Sequence, residues 1–263
     1  MKTTCIFTPR VVPAVVLSLS IALLFTGCVS NKYKDPRKGT PAPELLNVAF
    51  APSALDAVLT TLITYNGPGS WKRNAFWDEY VVTLHNPGSQ PLTVTSSSLM
   101  DYAGMVRTPG DKPWALEKES KTLEQSYKDA GMAFVRYTGP AVLIVGAGAA
   151  AIASAGVFSS AAGVAAGATV LALPLYYLAV VSINQSNRKA MEKEFNHRRI
   201  ELPLTLAPGE TWIGSFFFPM APSPRSLELH WSSDTASGEA ALSLGFLQGL
   251  HLKVPSPPTP QKH

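Results

Sequence analysis

Cysteine is nearly missing: two in 263 residues exclude a disulfide scaffold. Charge is scarce as well. Only 15% of residues are Asp, Glu, Lys or Arg, where soluble domains carry about 25%. With 46% apolar residues and a net charge of +4, the chain is not disordered throughout. Motifs of catalysis are also lacking. There is no G-x-S-x-G nucleophile elbow. There is no Walker loop, and Gly146-Ala147-Gly148 lacks the rest of a dinucleotide fingerprint. The histidines are His85, His197, His230, His251 and His263. None has a second His or Cys at a close metal-ligand spacing, so they are expected at surface or strand positions. No catalytic, cofactor-binding or metal-ligating residue is assigned, and no enzyme activity is expected.

Some candidates for chemistry read better as packing. Asp78 and Glu79 are adjacent carboxylates on an expected strand, where neighbours point to opposite faces. A shared acid–base task is therefore not expected of them. Phe216-Phe217-Phe218 reads as half core and half interface. Trp71, Trp77, Trp114, Trp212 and Trp231 are expected in core or rim packing rather than along a ligand groove.

What the chain does have begins at its N-terminus. Lys2 and Arg10 precede an uncharged stretch, Val11–Phe25, and Thr26-Gly27-Cys28 follow. A basic start, an apolar run of about 7–15 residues and small residues at its end describe a secretory signal. A spanning helix needs roughly 20 apolar residues. The competing reading is an uncleaved signal anchor with an incidental cysteine. At Leu24-Phe25-Thr26-Gly27-Cys28 the segment resembles the lipobox of bacterial lipoproteins, with Phe25 where that family prefers Leu. The resemblance implies that residues 1–27 are removed and that Cys28 is acylated. It implies a diacylglycerol on the thiol and usually a third chain on the new amine. Two or more chains anchor stably where one does not. Val29 stands where an Asp would favour the inner membrane, which implies an outer-membrane lipoprotein facing the periplasm. Cys5, Lys2 and Arg10 leave with the signal, so the net charge falls from +4 to +2. That slight excess does not indicate nucleic acid, and none is expected as a partner. Residues 28–45 read as a flexible spacer, basic through Lys32, Lys34, Arg37 and Lys38. Anionic headgroups attract such residues by about 1 kcal/mol each.

The strongest internal feature is residues 137–187, 51 consecutive positions without a charge, bracketed by Arg136 and Arg188. That is too long for one simple span and suits two. Helices are expected over Pro140–Ser159 and Ala162–Ile183, with a turn at Ser159-Ser160. Gly146, Ala150 and Ser154 are spaced by four, as are Ser159, Gly163 and Gly167. Small residues at that spacing let helix backbones approach closely. The run resembles the glycine-zipper hairpins of some outer-membrane lipoproteins, with Ala and Ser in place of several glycines. Pro174 is expected to kink the second helix, and Tyr176 and Tyr177 to lie at a membrane interface. Membrane insertion is the expectation; burial of the pair in a water-soluble core is the other reading.

The flanks, residues 46–136 and 188–254, read as one β domain split by that run. Strands are expected at Leu46–Phe50, Val58–Tyr65 and Trp77–His85, the last with clear alternation. Asn86-Pro87-Gly88-Ser89 supplies turn chemistry, and with Leu92–Ser96 predicts a hairpin. Pro113 opens a helix to about Lys128. Later strands are expected at Ile200–Leu206, Trp212–Phe218, Leu227–Trp231 and within Leu242–Val254. The Asn-Pro-Gly turn and Leu206-Ala207-Pro208-Gly209-Glu210 before an aromatic strand look similar to small immunoglobulin-like domains of bacterial surface proteins. The expected fold is thus mainly β, an immunoglobulin-like antiparallel sandwich interrupted by a small-residue-rich helical hairpin. Residues 255–263 read as a proline-rich disordered tail. The expected role is that of a membrane-anchored envelope lipoprotein with structural or protein-interaction duties. Its partners would be membrane lipid, through Cys28 and the hairpin, and a protein partner or a second copy. An accessory subunit of an envelope transport, secretion or assembly complex is the alternative, and a hydrolase without a recognisable motif a weaker one.

Overall fold

The computed structural model describes residues 41–139 and 173–253. Among the described residues the fold is mainly β, with nine strands and two helices. The strands are β1 (Val48–Ala49), β2 (Asp56–Ile63), β3 (Asp78–His85), β4 (Leu92–Met100), β5 (Val106–Arg107), β6 (Leu204–Leu206), β7 (Thr211–Phe218), β8 (Ser226–Ser232) and β9 (Ser237–Ser243). The helices are α1 (Pro113–Asp129) and α2 (Leu173–Arg198). One antiparallel sheet runs β1-β2-β3-β7. The other runs β5-β4-β8-β9, with β6 also on β4. Strands from before and after residues 140–172 therefore share both sheets.

Alternation fixes which residues meet between the sheets. Tyr80, Val82 and Leu84 of β3 and Phe216 and Phe218 of β7 face Leu92, Val94, Leu99, Leu227, Leu229 and Leu242 of the second sheet. All are buried, and each large apolar side chain so placed contributes about 1.5–3 kcal/mol. The other face of the first sheet is covered too. Phe217 and Trp77 pack there against Leu116 of α1 and Met191 and Phe195 of α2. So Phe216-Phe217-Phe218 is buried on both sides of its strand. At Gly214 a side chain has no room, because a Cβ there would stand 2.6 Å from Ile200 Cγ1 and 3.2 Å from the Arg198 carbonyl. The missing side chain lets the segment after α2 cross β7 closely.

Three expectations are corrected. The predicted hairpin of Trp77–His85 with Leu92–Ser96 does not form, since β3 and β4 belong to different sheets. Both edges of β3 are occupied by β2 and β7, and Asn86 turns the chain away. Its amide donates to the carbonyls of Gln90 (2.8 Å) and Leu206 (3.0 Å), and its oxygen accepts the Gly88 N–H. Of Ile200–Leu206 only the last three residues are strand; Pro203, just before them, has no N–H for a ladder. The final strand lies earlier than Leu242–Val254. Ser233 closes a tight turn by accepting the Ala236 N–H and donating to its carbonyl, so Ser237–Ser243 pairs with β8. Residues Gly245–Leu247 form a single 3-10 turn instead.

Candidate functional site

The two arginines that bracket the uncharged run both rest on α1. Arg136 makes a two-pronged bond to Glu124, Nε at 2.9 Å and Nη2 at 3.1 Å from its carboxylate oxygens. Lys128, one helical turn along, adds a third donor at 2.6 Å. The guanidinium also lies 4.7 Å from the Phe76 ring centre. Burial alone would raise the Glu124 pKa, but Arg136 and Lys128 outweigh it and hold it below the ordinary carboxylate value. The sign for stability follows. The unfolded chain takes up a proton first as pH falls, so this contribution is present above the ordinary carboxylate pKa and is lost through the lower, folded one. Arg136→Met is expected to cost about 1–2 kcal/mol at pH 7, between an exposed and a buried charged bond. The deficit should shrink as the pH falls below the ordinary carboxylate range, read as urea midpoints of the full chain in detergent.

Immediately after Arg136 the chain is fixed by a buried His–Asp pair. His251 Nδ1 accepts the backbone N–H of Tyr137 (3.1 Å), and its Nε2 lies 2.9 and 3.0 Å from the two carboxylate oxygens of Asp78. Nδ1 is an acceptor, so the proton sits on Nε2 and points at Asp78. Phe134 stacks on the ring at 5.8 Å and 8°. Thr64 then donates to the Gly139 carbonyl at 3.0 Å. Both ring nitrogens are used, which leaves none to take a proton from a substrate.

The return end is held by an aromatic and ionic box. Arg188 lies 4.6 Å from the Trp114 ring centre and pairs with Glu192, whose carboxylate accepts Trp114 Nε1–H. One turn on, Met191 and Phe195 are fully buried; Phe195 stacks on Phe217 at 4.2 Å and meets Trp77 edge-on. Beneath them Lys72, 1% exposed, is paired with Glu117 of α1. Its ammonium also donates to the Asn74 carbonyl (2.9 Å) and lies 5.3 Å from the Trp77 ring centre. Burial lowers the Lys72 pKa, against the pull of Glu117. Glu79 completes the box, accepting Trp71 Nε1–H (2.9 Å) and Ser215 Oγ–H (2.8 Å), with Arg198 at 3.4 Å. Burial raises its pKa, and those three partners oppose the rise.

Asp78 and Glu79 thus point to opposite faces, one to His251 and the other to Trp71 and Arg198. His251 departs from its expected surface or strand place, for it is fully buried at positive φ (56°) after the 3-10 turn. Trp71, Trp77 and Trp114 lie in the α-helical layer, and Trp231 lies in the core. Trp212 and its neighbour Ile213 stand out on β7, 44% and 67% exposed. A second exposed apolar group, Tyr102, Met105 and Val106, occupies the β4–β5 connection. Beside it is an open cleft of about 460 Å³, with Tyr102, Pro224, Arg225, Gly245, Leu252 and Lys253 on its walls. Cys28 lies outside the described residues, as do Gly146, Ala150, Ser154, Ser159, Gly163 and Gly167 and most of the expected hairpin. Among the described residues no helix is long and apolar enough to cross a membrane. Lys72, Glu117, Glu124 and Asp78–His251 are anchors that sequence reading missed; their partners lie 12 to 173 positions apart. No family model, curated protein or solved structure matches the chain.

Proposed function

We propose that the chain is an envelope lipoprotein whose β domain is held at the membrane twice, by acylated Cys28 and by the uncharged run. One observation carries the second anchor. Arg136, before the run, is bound to Glu124, and Arg188, after it, to Trp114. Those α1 residues are ten apart, about 15 Å along a helix. A run whose ends are fixed so near each other on one body must go out and come back. That supports a two-helix hairpin and is incompatible with a single crossing. Lack of charge over residues 140–187 removes the main cost of entering lipid. The small residues at Gly146, Ala150, Ser154, Ser159, Gly163 and Gly167 are the contacts we assign between its helices.

The remaining parts of this reading fit the same picture. Two packed antiparallel sheets support an immunoglobulin-like sandwich with the hairpin inserted between β5 and β6 in sequence. Exposed Trp212, Ile213, Met105 and Val106 support a role in holding a protein partner rather than in catalysis. The periplasmic face of the outer membrane is the location the residues after Cys28 favour.

Two variants separate the anchors. Cys28→Ala is expected to abolish incorporation of labelled palmitate; undiminished labelling would overturn the lipoprotein reading. In the second variant an ordinary cleavable export signal replaces residues 1–28. This unacylated chain should still sediment with membranes after alkaline carbonate washing. Its complete release as soluble folded protein would remove the hairpin from the bilayer.

A further inference from the structure

A small polar cluster sits on the second sheet, away from α1 and α2. Glu228 and His230 are two residues apart on β8, so alternation places both side chains on the same face. Leu227, Leu229 and Trp231 between and beside them point into the core. The β8–β9 register sets Glu239 directly opposite His230. One imidazole nitrogen and one oxygen from each carboxylate thereby lie within 4.8 Å of one another. The surrounding positions are small. Ser96 and Ser98 stand across on β4, and Ala241 across on β9. None of these side chains is large.

Charge and an imidazole meet in the cluster. Two carboxylates converge on one histidine, yet among the described residues neither Glu228 nor Glu239 has an ion-pair partner. Every other buried or half-buried carboxylate discussed above has a cation or a histidine bonded to it. Glu228 is instead oriented by hydroxyls, Ser226 Oγ donating to its Oε1 at 3.0 Å and Ser98 Oγ to its Oε2 at 3.5 Å. A hydrogen bond of that kind fixes a carboxylate without satisfying its charge, as outer partners do around bound metals.

We infer that Glu228, His230 and Glu239 form a binding site for a divalent transition-metal ion of the zinc class. An imidazole donor argues against magnesium and calcium, which prefer all-oxygen sites. Metal–ligand bonds of about 2.0–2.2 Å set tetrahedral donors about 3.4 Å apart. The three donors already lie within 4.8 Å of one another, and the exposed Glu239 side chain is free to adjust to an ion. Three protein donors leave the fourth position to water, on the open side of the sheet. Two carboxylates balance the charge of the ion.

The test is Zn²⁺ titration of the full chain in detergent, without a polyhistidine tag, against a chromophoric chelator. The wild-type chain should hold one competable equivalent. His230→Gln and Glu239→Gln should each weaken it by more than the roughly tenfold that loss of an outer partner causes. Both positions face outward, and unchanged circular dichroism confirms the fold; if His230→Gln fails to fold, the more exposed Glu239→Gln carries the result. His197→Gln, on α2, should leave binding unaltered. Absence of a bound equivalent in the wild-type chain, or equal binding in the folded His230 or Glu239 variant, overturns the site.

Discussion

Glu117→Leu is expected to lower the unfolding free energy by about 3–5 kcal/mol, because it leaves a buried ammonium without its counter-charge. Lys72 is 1% exposed. Without Glu117 it keeps one good carbonyl acceptor, Asn74, and the faces of Trp77 and Trp114. Those do not replace water around a full charge. Lys72→Met with Glu117→Leu should recover most of the loss, finishing within about 1 kcal/mol of the original chain, since apolar groups of similar volume suit this aromatic box. Tryptophan fluorescence during urea unfolding in detergent reads the effect, as three indoles line the box. A single-variant loss below 1 kcal/mol would show that water reaches Lys72. The pH dependence has a definite sign. Burial lowers the folded lysine pKa, so between that value and the ordinary one the unfolded chain holds the extra proton. Stability from this group therefore rises as pH increases through that interval. Removing Glu117 extends the interval downward, and the deficit of Glu117→Leu should be smaller at pH 9 than at pH 7.

Local order was legible wherever one face of an element is apolar. The alternation of Trp77–His85 and the runs Trp212–Phe218 and Leu227–Trp231 mark β3, β7 and β8 to within one residue, and Pro113 marks the start of α1. Pairing was not legible. The turn chemistry of Asn86-Pro87-Gly88 is the same whether a chain doubles back in one sheet or crosses to another. What decides is that β7, over a hundred residues later, already occupies the free edge of β3. The strand Ser237–Ser243 is made of small and polar residues and owes its form to pairing with β8, so its own composition said little. The anchors follow the same rule. Glu228-x-His230 is visible as a same-face pair on an alternating strand, but Glu239 joins it only through the β8–β9 register. Lys72 and Glu117, or Asp78 and His251, meet only after both sheets and α1 are in place.

The largest effect expected at the other end of the uncharged run belongs to His251→Leu. Leucine approximates the volume of the ring, so the cost is chiefly polar. Asp78, 1% exposed, loses the imidazole N–H that faces its carboxylate, and the Tyr137 N–H loses the ring nitrogen that accepts it. An unpaired buried carboxylate costs about 3–5 kcal/mol, and an orphaned amide adds about 1–3 kcal/mol. The full chain should then unfold at a markedly lower urea concentration. Amide hydrogen exchange separates this from general loosening. Tyr137 and the residues bridged to Leu252 around Phe134 should exchange faster at once, because His251 ties that segment to β3. Amides of β8 and β9 should lose protection only in step with global stability. Asp78→Asn in the same background should recover part of the loss, since a neutral amide is cheaper to bury than a charge. If His251→Leu leaves both stability and Tyr137 exchange unchanged, the His–Asp pair does not hold the point where the chain departs. Arg136 alone would then hold the chain at that end, and the exit of the proposed hairpin would not be rigid.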